Sequence, residues 1–181
     1  MRSSISPEPA LLGFLLDHPL HGYDLYKQVH GQLGLVWRIE ISQMYAILSN
    51  YASRGWIGTH IQSQDARPAK KILELTPTGR RAFEEWMRQP ARGMREFRVD
   101  FFLRLYFARS TGAIAAKRLI AQQIASIRLE LKTLETPKAA QKEDDLTRFT
   151  RDFRIRQLKA ILKWLTSHRQ ELIQAKSRKS V

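Results

Sequence analysis

Residues 42–81 read SQMYAILSNYASRGWIGTHIQSQDARPAKKILELTPTGRR. This stretch divides into three. Ser42 to Arg54 has the apolar spacing of a short helix, with Met44, Leu48 and Tyr51 (and Ile47 alongside) on the inward stripe. Ser42 is placed to cap it, its hydroxyl accepting a free amide of the first turn. Trp56 to Leu75 then alternates as a hairpin: Ile57, Thr59 and Ile61 interleave with Gly58, His60 and Gln62, and the return strand is Lys71 to Leu75. Between the strands, Gln64-Asp65-Ala66-Arg67-Pro68-Ala69-Lys70 reads as a turn, with Arg67, Lys70 and Lys71 at its tip. Thr76-Pro77 opens the next helix, a capping hydroxyl followed by proline at the first helical position.

A helix followed by a two-stranded wing is the working end of a winged helix-turn-helix, whose helix enters a DNA major groove while the wing reaches the neighbouring backbone. The outer face of the helix suits that use. A solvated helix in a strongly basic chain ordinarily carries Lys and Glu, whereas Ser42, Gln43, Tyr45, Ser49 and Asn50 are neutral and hydrogen-bonding. Such side chains can approach base edges and phosphates closely. Arg67, Lys70 and Lys71 are the cations for phosphate or minor-groove contact. A merely solvated hairpin tip is the plainer alternative for them.

Working outward, Leu11, Leu12, Phe14, Leu15 and Leu16 after Pro7 predict a buried first helix, ended by Asp17-His18-Pro19. His21-Gly22-Tyr23-Asp24 opens a second, running to about Leu33, with Tyr23, Tyr26 and Val29 or His30 as its inward face and Gly34 as a left-handed terminator. The helix opened by Thr76 runs through Phe83 and Trp86 to about Arg88. Pro90-Ala91-Arg92-Gly93 is the strongest boundary in the chain.

The second half reads as helix throughout. Phe97 to Ala108 is apolar on nearly every side and should be enclosed by other helices. From about Ala113, Ile120, Ile124, Ile127, Leu131 and Leu134 form a seam of period near 3.5, ended by Thr136-Pro137. A second seam, Ile155, Leu158, Leu162 and Leu165, follows from about Asp145 and breaks at Arg169. Each seam wants a coiled-coil-like partner, within one chain, between two chains, or both. A basic tail, Lys176-Ser177-Arg178-Lys179, closes the sequence.

Composition bounds the function. The net charge of +14, from 31 Lys and Arg against 17 Asp and Glu, favours a polyanionic partner. The excess is uneven: residues 1–90 hold 10 basic and 8 acidic side chains, residues 91–181 hold 21 and 9. Net charge therefore supports nucleic-acid binding without locating it. With no cysteine, disulfides, thiolate metal sites and cysteine nucleophiles are excluded. No apolar run approaches the ~18–20 residues that span a bilayer, and no leader opens the chain, so a soluble cytoplasmic protein is expected. The five histidines are scattered without metal spacing. No glycine-rich phosphate cradle or nucleophile elbow is present, and the adjacent pairs Glu84-Glu85 and Asp144-Asp145 suit capping or solubility. An enzyme, a cofactor and a metal are not expected. Trp37, Trp86 and Trp164 are the candidates to line an aromatic pocket, against the commoner role of tryptophan in a helical interface.

These residues resemble the PadR-like family of transcriptional regulators. The match is carried by Leu11-Leu12-Gly13, Pro19-Leu20-His21-Gly22-Tyr23, Trp37-Arg38, Tyr45 with Leu48, Gly55 with Ile57, Arg67-Pro68, Leu75-Thr76-Pro77 and Gly79-Arg80, in that order. The helical second half resembles the longer-tailed branch of phenolic-acid-responsive repressors and virulence activators. The resemblance implies a homodimer built mainly by the C-terminal helices, a pseudo-palindromic operator in double-stranded DNA, and in many members release by a small aromatic or cationic effector. Three positions depart from the family pattern: Ala46 where proline is frequent, Asn50 where a basic residue is, and Tyr51 where leucine is. With fewer cations on the helix, more of the phosphate binding is expected on the wing.

The expectation is thus a mostly α protein: a winged helix-turn-helix domain with a small β-hairpin wing over 1–90, then a helical dimerisation domain over 91–181. Its expected function is sequence-specific regulation of transcription, as a repressor. The alternatives are an architectural or helix-interaction protein that binds nucleic acid without sequence preference, and an RNA-binding winged helix.

Overall fold

The computed structural model of the protein describes residues 7–64, 67–136 and 144–174, with side chains described throughout these except at 61–64, 67–70, 93 and 95. The expectations for residues 1–6, Asp65, Ala66, 137–143 and the basic tail lie outside the described residues. The chain forms two compact units, Met1–Gln89 and Pro90–Val181.

In the first unit the order is α1 (Ala10–Gly13), β1 (Leu20–His21), α2 (Gly22–Leu33), α3 (Ile41–Ser53), β2 (Ile57–Gln64), β3 (Arg67–Leu75) and α4 (Pro77–Arg88). The expected first helix is only one α-turn. Leu12 and Leu15 bond back three residues, to the Pro9 and Leu12 carbonyls, so the chain closes tight turns around Gly13. Its burial is as expected, since Ala10, Leu11, Leu12, Phe14 and Leu15 all lie in the core.

On α2 the inward face is Leu25, Val29 and Leu33, not the Tyr23–Tyr26 face expected from spacing. Tyr23 is exposed, and Tyr26 lies against His30 with ring centroids 4.3 Å apart. The aliphatic side chains win because they fill the core without a hydroxyl to satisfy. Gly34 is right-handed (φ −60°), not the left-handed terminator expected. What it supplies is room: a Cβ there would sit 2.5 Å from the His30 carbonyl oxygen.

For α3 the cap lies two residues before the expected one. Glu40 is the extended residue before the helix, without a side-chain cap bond, and Ser42 already lies inside. Met44, Ile47, Leu48 and Tyr51 are buried, as their spacing predicts. Burial, and secondly the Glu8 carboxylate, push the Tyr51 phenol well above its ordinary range, so it stays protonated. Gly55, at φ +67°, takes the left-handed turn that leads from α3 into the wing.

The wing is one strand larger than expected: the sheet order is β1-β3-β2, all antiparallel. β1 pairs Leu20 with Leu73 and His21 with Ile72, tying the start of α2 to the wing. The hairpin strands also run further than alternation suggested. Gln64 faces Arg67 across a register irregularity, so Arg67 and Lys70 join Lys71 on β3 itself and do not lie in a seven-residue turn. Pro68 is tolerated in this central strand because β1 reaches only Ile72 and Leu73, leaving the outer part of β3 paired on one side.

Thr76 caps α4 as expected, its Oγ1 accepting from the Gly79 amide at 3.0 Å, with Pro77 next. The same hydroxyl donates toward the Gly55 and Trp56 carbonyls at 2.7 and 3.0 Å. One threonine thus fixes α4 to the mouth of the wing.

The second unit contains α5 (Gly93–Glu96), a wide π-turn (Phe97–Phe101), α6 (Phe102–Thr111), α7 (Ala113–Glu135), α8 (Asp145–Ser167) and α9 (Arg169–Ile173). Phe97, Phe101, Leu103, Leu105 and Phe107 are buried, as an all-round apolar helix requires. Each such side chain contributes roughly 1.5–3 kcal/mol on burial. One polar cluster is enclosed with them. Arg104 and Asp100 form an ion pair at 3.3 Å, and both are essentially inaccessible. Gln123 of α7 accepts from the Ala91 amide at 2.8 Å and donates to its carbonyl at 2.9 Å. The seam of α7 meets α8 within the chain: Ile120, Ile124, Ile127 and Leu131 are buried, as are Leu158, Ile161 and Leu165. Among the described residues, no helix is long and apolar enough to cross a membrane.

Candidate nucleic-acid interface

The outward face of α3 follows from how completely its inward face is used. With Met44, Ile47, Leu48 and Tyr51 in the core, Ser42, Gln43, Tyr45, Ala46, Ser49 and Asn50 are all exposed. These are the residues selected from the sequence on this helix, together with Ala46. All of them but Ser42 border one or the other of two hollows.

Tyr45 and Ser49 face a groove of about 260 Å³, which Lys71 of β3, Thr59 of β2 and His21 at the start of α2 also line. The groove exists because β1 pulls the start of α2 against the sheet. Gly22 is its floor: a Cβ at that position would lie 2.9 Å from both Cε1 and Oη of Tyr45. Tyr45 is therefore exposed yet located, its ring resting on the backbone at the opening of α2. His21 Nδ1 accepts the Tyr23 amide at 3.2 Å. An imidazole accepting at Nδ1 carries its proton on Nε2. That leaves a donor, two hydroxyls beside the phenol, and one ammonium around the hollow.

Gln43 and Asn50 border the opposite side, an open cleft of about 610 Å³ that Glu8, Arg54, Trp56, Glu85 and Trp86 share. The Arg54 guanidinium lies over the Trp56 ring, 5.1 Å from its centroid, which holds a cation at the C-terminal end of α3. Arg67 and Lys70 occupy the outer end of β3, where β2 pairs them with Gln64 and Gln62.

Sequence reading missed His21, Gly22 and Thr59 as members of this surface. Only the pairing of β1 with β3 brings them to α3, and a two-residue strand leaves no periodic trace. Of the three tryptophans, Trp86 borders the cleft beside α3, and Trp37 is buried elsewhere in the first unit. Trp164, in the second, packs on Phe97, Phe102 and His168. Among the described residues, no group of three or more His, Cys, Asp or Glu could hold a metal ion.

Comparison with known proteins bears on the first unit most directly. The profile of the "Transcriptional regulator PadR-like family" matches residues 11–85. The chain is 26% identical over 126 residues to the negative transcriptional regulator PadR of Bacillus subtilis, covering 70% of this chain and 69% of that protein. It is similar in fold to the crystal structure of Bacillus subtilis PadR in complex with operator DNA, with TM-score 0.46 and 23% identity over 88% of this chain and 96% of that one. The complex of the same protein with p-coumaric acid matches with TM-score 0.42 and 22% identity, over 92% of this chain and 98% of that one. The family matched and this relative are transcriptional regulators, not enzymes.

Proposed function

We propose that this chain is a PadR-like transcriptional regulator that represses transcription as a homodimer on a two-fold operator. In this reading residues 1–90 are the DNA-binding domain and residues 91–181 pair the two copies. Each α3 enters a major groove, and Arg67, Lys70 and Lys71 of the wing grip flanking phosphates.

The observation that carries the reading is the surface of α3. Its exposed side chains from Ser42 to Asn50 are neutral above a fully used core face, so they can approach a base edge closely. Gln43 and Asn50 are the amides suited to read a base edge, and Ser42 and Ser49 suit phosphate or base contact. Tyr45, seated on Gly22, joins the groove that Lys71 completes. The half-sites of such a dimer lie about one helical turn apart, or a multiple of it. Release by a small aromatic effector is the control that the family implies, with Trp37, Trp86 and Trp164 as candidate lining.

Competition binding tests the proposal. A regulator holds its operator on the order of 10³-fold or more above bulk DNA at physiological salt. Equal affinity for all duplexes would favour an architectural protein instead, and preference for RNA would favour an RNA-binding winged helix.

A further inference from the structure

Gln123 lies on the buried face of α7 and is 2% exposed. An amide in an apolar core is costly unless both of its ends are bonded. Here both are, and to one residue: Oε1 accepts the Ala91 amide at 2.8 Å, and Nε2 donates to the Ala91 carbonyl at 2.9 Å. Ala91 is itself buried. A leucine would fill the same space with no polar group to satisfy, so packing alone does not account for the glutamine.

The residue it grips is the second after the boundary between the two units. The first unit ends at Gln89, whose amide donates to the Trp86 carbonyl at 3.2 Å and whose side chain donates to Glu85 at 3.3 Å. The second begins at Pro90, and beyond Ala91 the Arg92 amide donates to the Glu96 carboxylate at 2.7 Å. Every backbone donor from Gln89 to Arg92 is thus bonded within its own unit, proline having none. Between the last fixed group of one unit and the first of the next, only the torsions of Gln89 and the ψ of Pro90 remain free, because the ring sets its φ. Gln89 is narrowed further, since a residue before proline avoids the helical region; it is extended, at φ −84° and ψ 131°. The connector has almost no slack, and at its Ala91 end the side chain that removes the slack is Gln123.

We propose that Gln123 is a positioning residue for operator recognition. By clamping Ala91 to α7 it shortens the free connector to Gln89–Pro90, so that each reading unit follows the second unit to which it is joined. This rests on the regulator reading given above. Stiff connectors in a dimer accept one separation of half-sites, whereas slack connectors accept several.

Two variants of the full chain test the clamp. Gln123→Leu fills the core but releases Ala91. Two glycines inserted between Gln89 and Pro90 slacken the connector and leave α7 untouched. Moving the half-sites apart by two base pairs shifts one against the other by about 7 Å and about 70°. The wild-type chain should lose about tenfold or more in affinity on that change, and each variant less than about threefold. Affinity for a single half-site should be the same in all three, because the reading surface is unaltered. Without DNA, the Ala91 amide should exchange slowly in the wild-type chain and about tenfold or more faster in Gln123→Leu, with α7 still protected. A Gln123→Leu chain as strict about spacing as the wild type would overturn the proposal, as would rapid exchange of Ala91 in the wild-type chain. If Gln123→Leu loses protection throughout α7, the insertion decides: broadened tolerance supports the stiff connector, and retained strictness overturns it. A wild-type chain that selects an operator but accepts every spacing refutes the positioning role and keeps the regulator. One that selects no operator refutes the regulator and the positioning role with it, and a slow Ala91 amide then leaves the clamp as a structural feature alone.

Discussion

Gly22 carries a hydrogen where alanine would place a carbon 2.9 Å from the phenol of Tyr45. The conflicting atoms are the far end of a side chain, so the ring can yield while the fold does not. Gly22→Ala is therefore expected to change unfolding free energy by less than about 1 kcal/mol in urea, because alanine is easily accommodated at the start of a helix. Operator binding should nevertheless fall, as Tyr45 leaves its seat. Tyr45→Ala should lower operator preference more than bulk-DNA affinity, and titration against both DNAs checks the pair of variants. Gly79 makes the opposite case. A Cβ there would lie 2.0 Å from the Trp56 carbonyl oxygen, which is backbone and cannot swing away. Gly79→Ala should cost about 1–3 kcal/mol of stability, the usual cost of overpacking, read from the urea midpoint. The outward position of Tyr45 was legible in the sequence because Met44 and Leu48 already claimed the inward stripe. Its seat was not, because Gly22 is distant in sequence and reaches α3 only through tertiary packing.

Among the elements, the wing and α6 carry the clearest consequences. Arg67 sits at the outer end of β3, opposite Gln64. If it holds one phosphate, Arg67→Ala should weaken all duplexes similarly and lower the slope of log affinity against log salt by about 1. The wing cations were readable as residues but not as strand, since Pro68 suggested a turn and its tolerance depends on where β1 ends. The pair of Asp100 in the π-turn and Arg104 in α6 is wholly enclosed, and burial lowers the Arg104 pKa despite the carboxylate beside it. Asp100→Leu should destabilise the unit by about 3–5 kcal/mol in denaturant titration, because it leaves a guanidinium buried without its counter-charge. Replacing both partners by apolar residues should recover most of that loss. The π-turn before α6 was not legible, because nearly every residue from Phe97 to Phe107 is apolar and the period cannot be counted. The capping of α8 was closer to expectation. Asp144 accepts the Thr147 amide at 2.9 Å and its hydroxyl at 2.8 Å, and these hold its carboxyl below the usual carboxylate range. A lowered folded pKa means that the cap acts above the unfolded value, about 3.9, and is lost as pH falls through the folded one. The first turn of α8 should therefore fray in acid, visible as accelerated exchange of the Thr147 amide.

For the molecule as a whole, charge is divided unevenly between the two units. The net charge is +2 over residues 1–90 and +12 over residues 91–181. If the nearly neutral first unit reads DNA as proposed, it relies on shape and hydrogen bonds at α3, with phosphate contact concentrated on the wing. The helix-wing-helix order and the helical second half were legible from residues 42–81 and from the two seams. Which apolar side chains remain unpaired within one chain was not, because the seam continues from the covered half of α8 into the uncovered half without a change of pattern. The most direct measurement of the central claim is selection of random duplex DNA by the purified chain at near-physiological salt, with sequencing of what is retained. A two-fold symmetric motif, its half-sites about one helical turn or a multiple apart, is the predicted result. Retention without an enriched motif would contradict a sequence-reading regulator and leave a winged helix that binds DNA without a code.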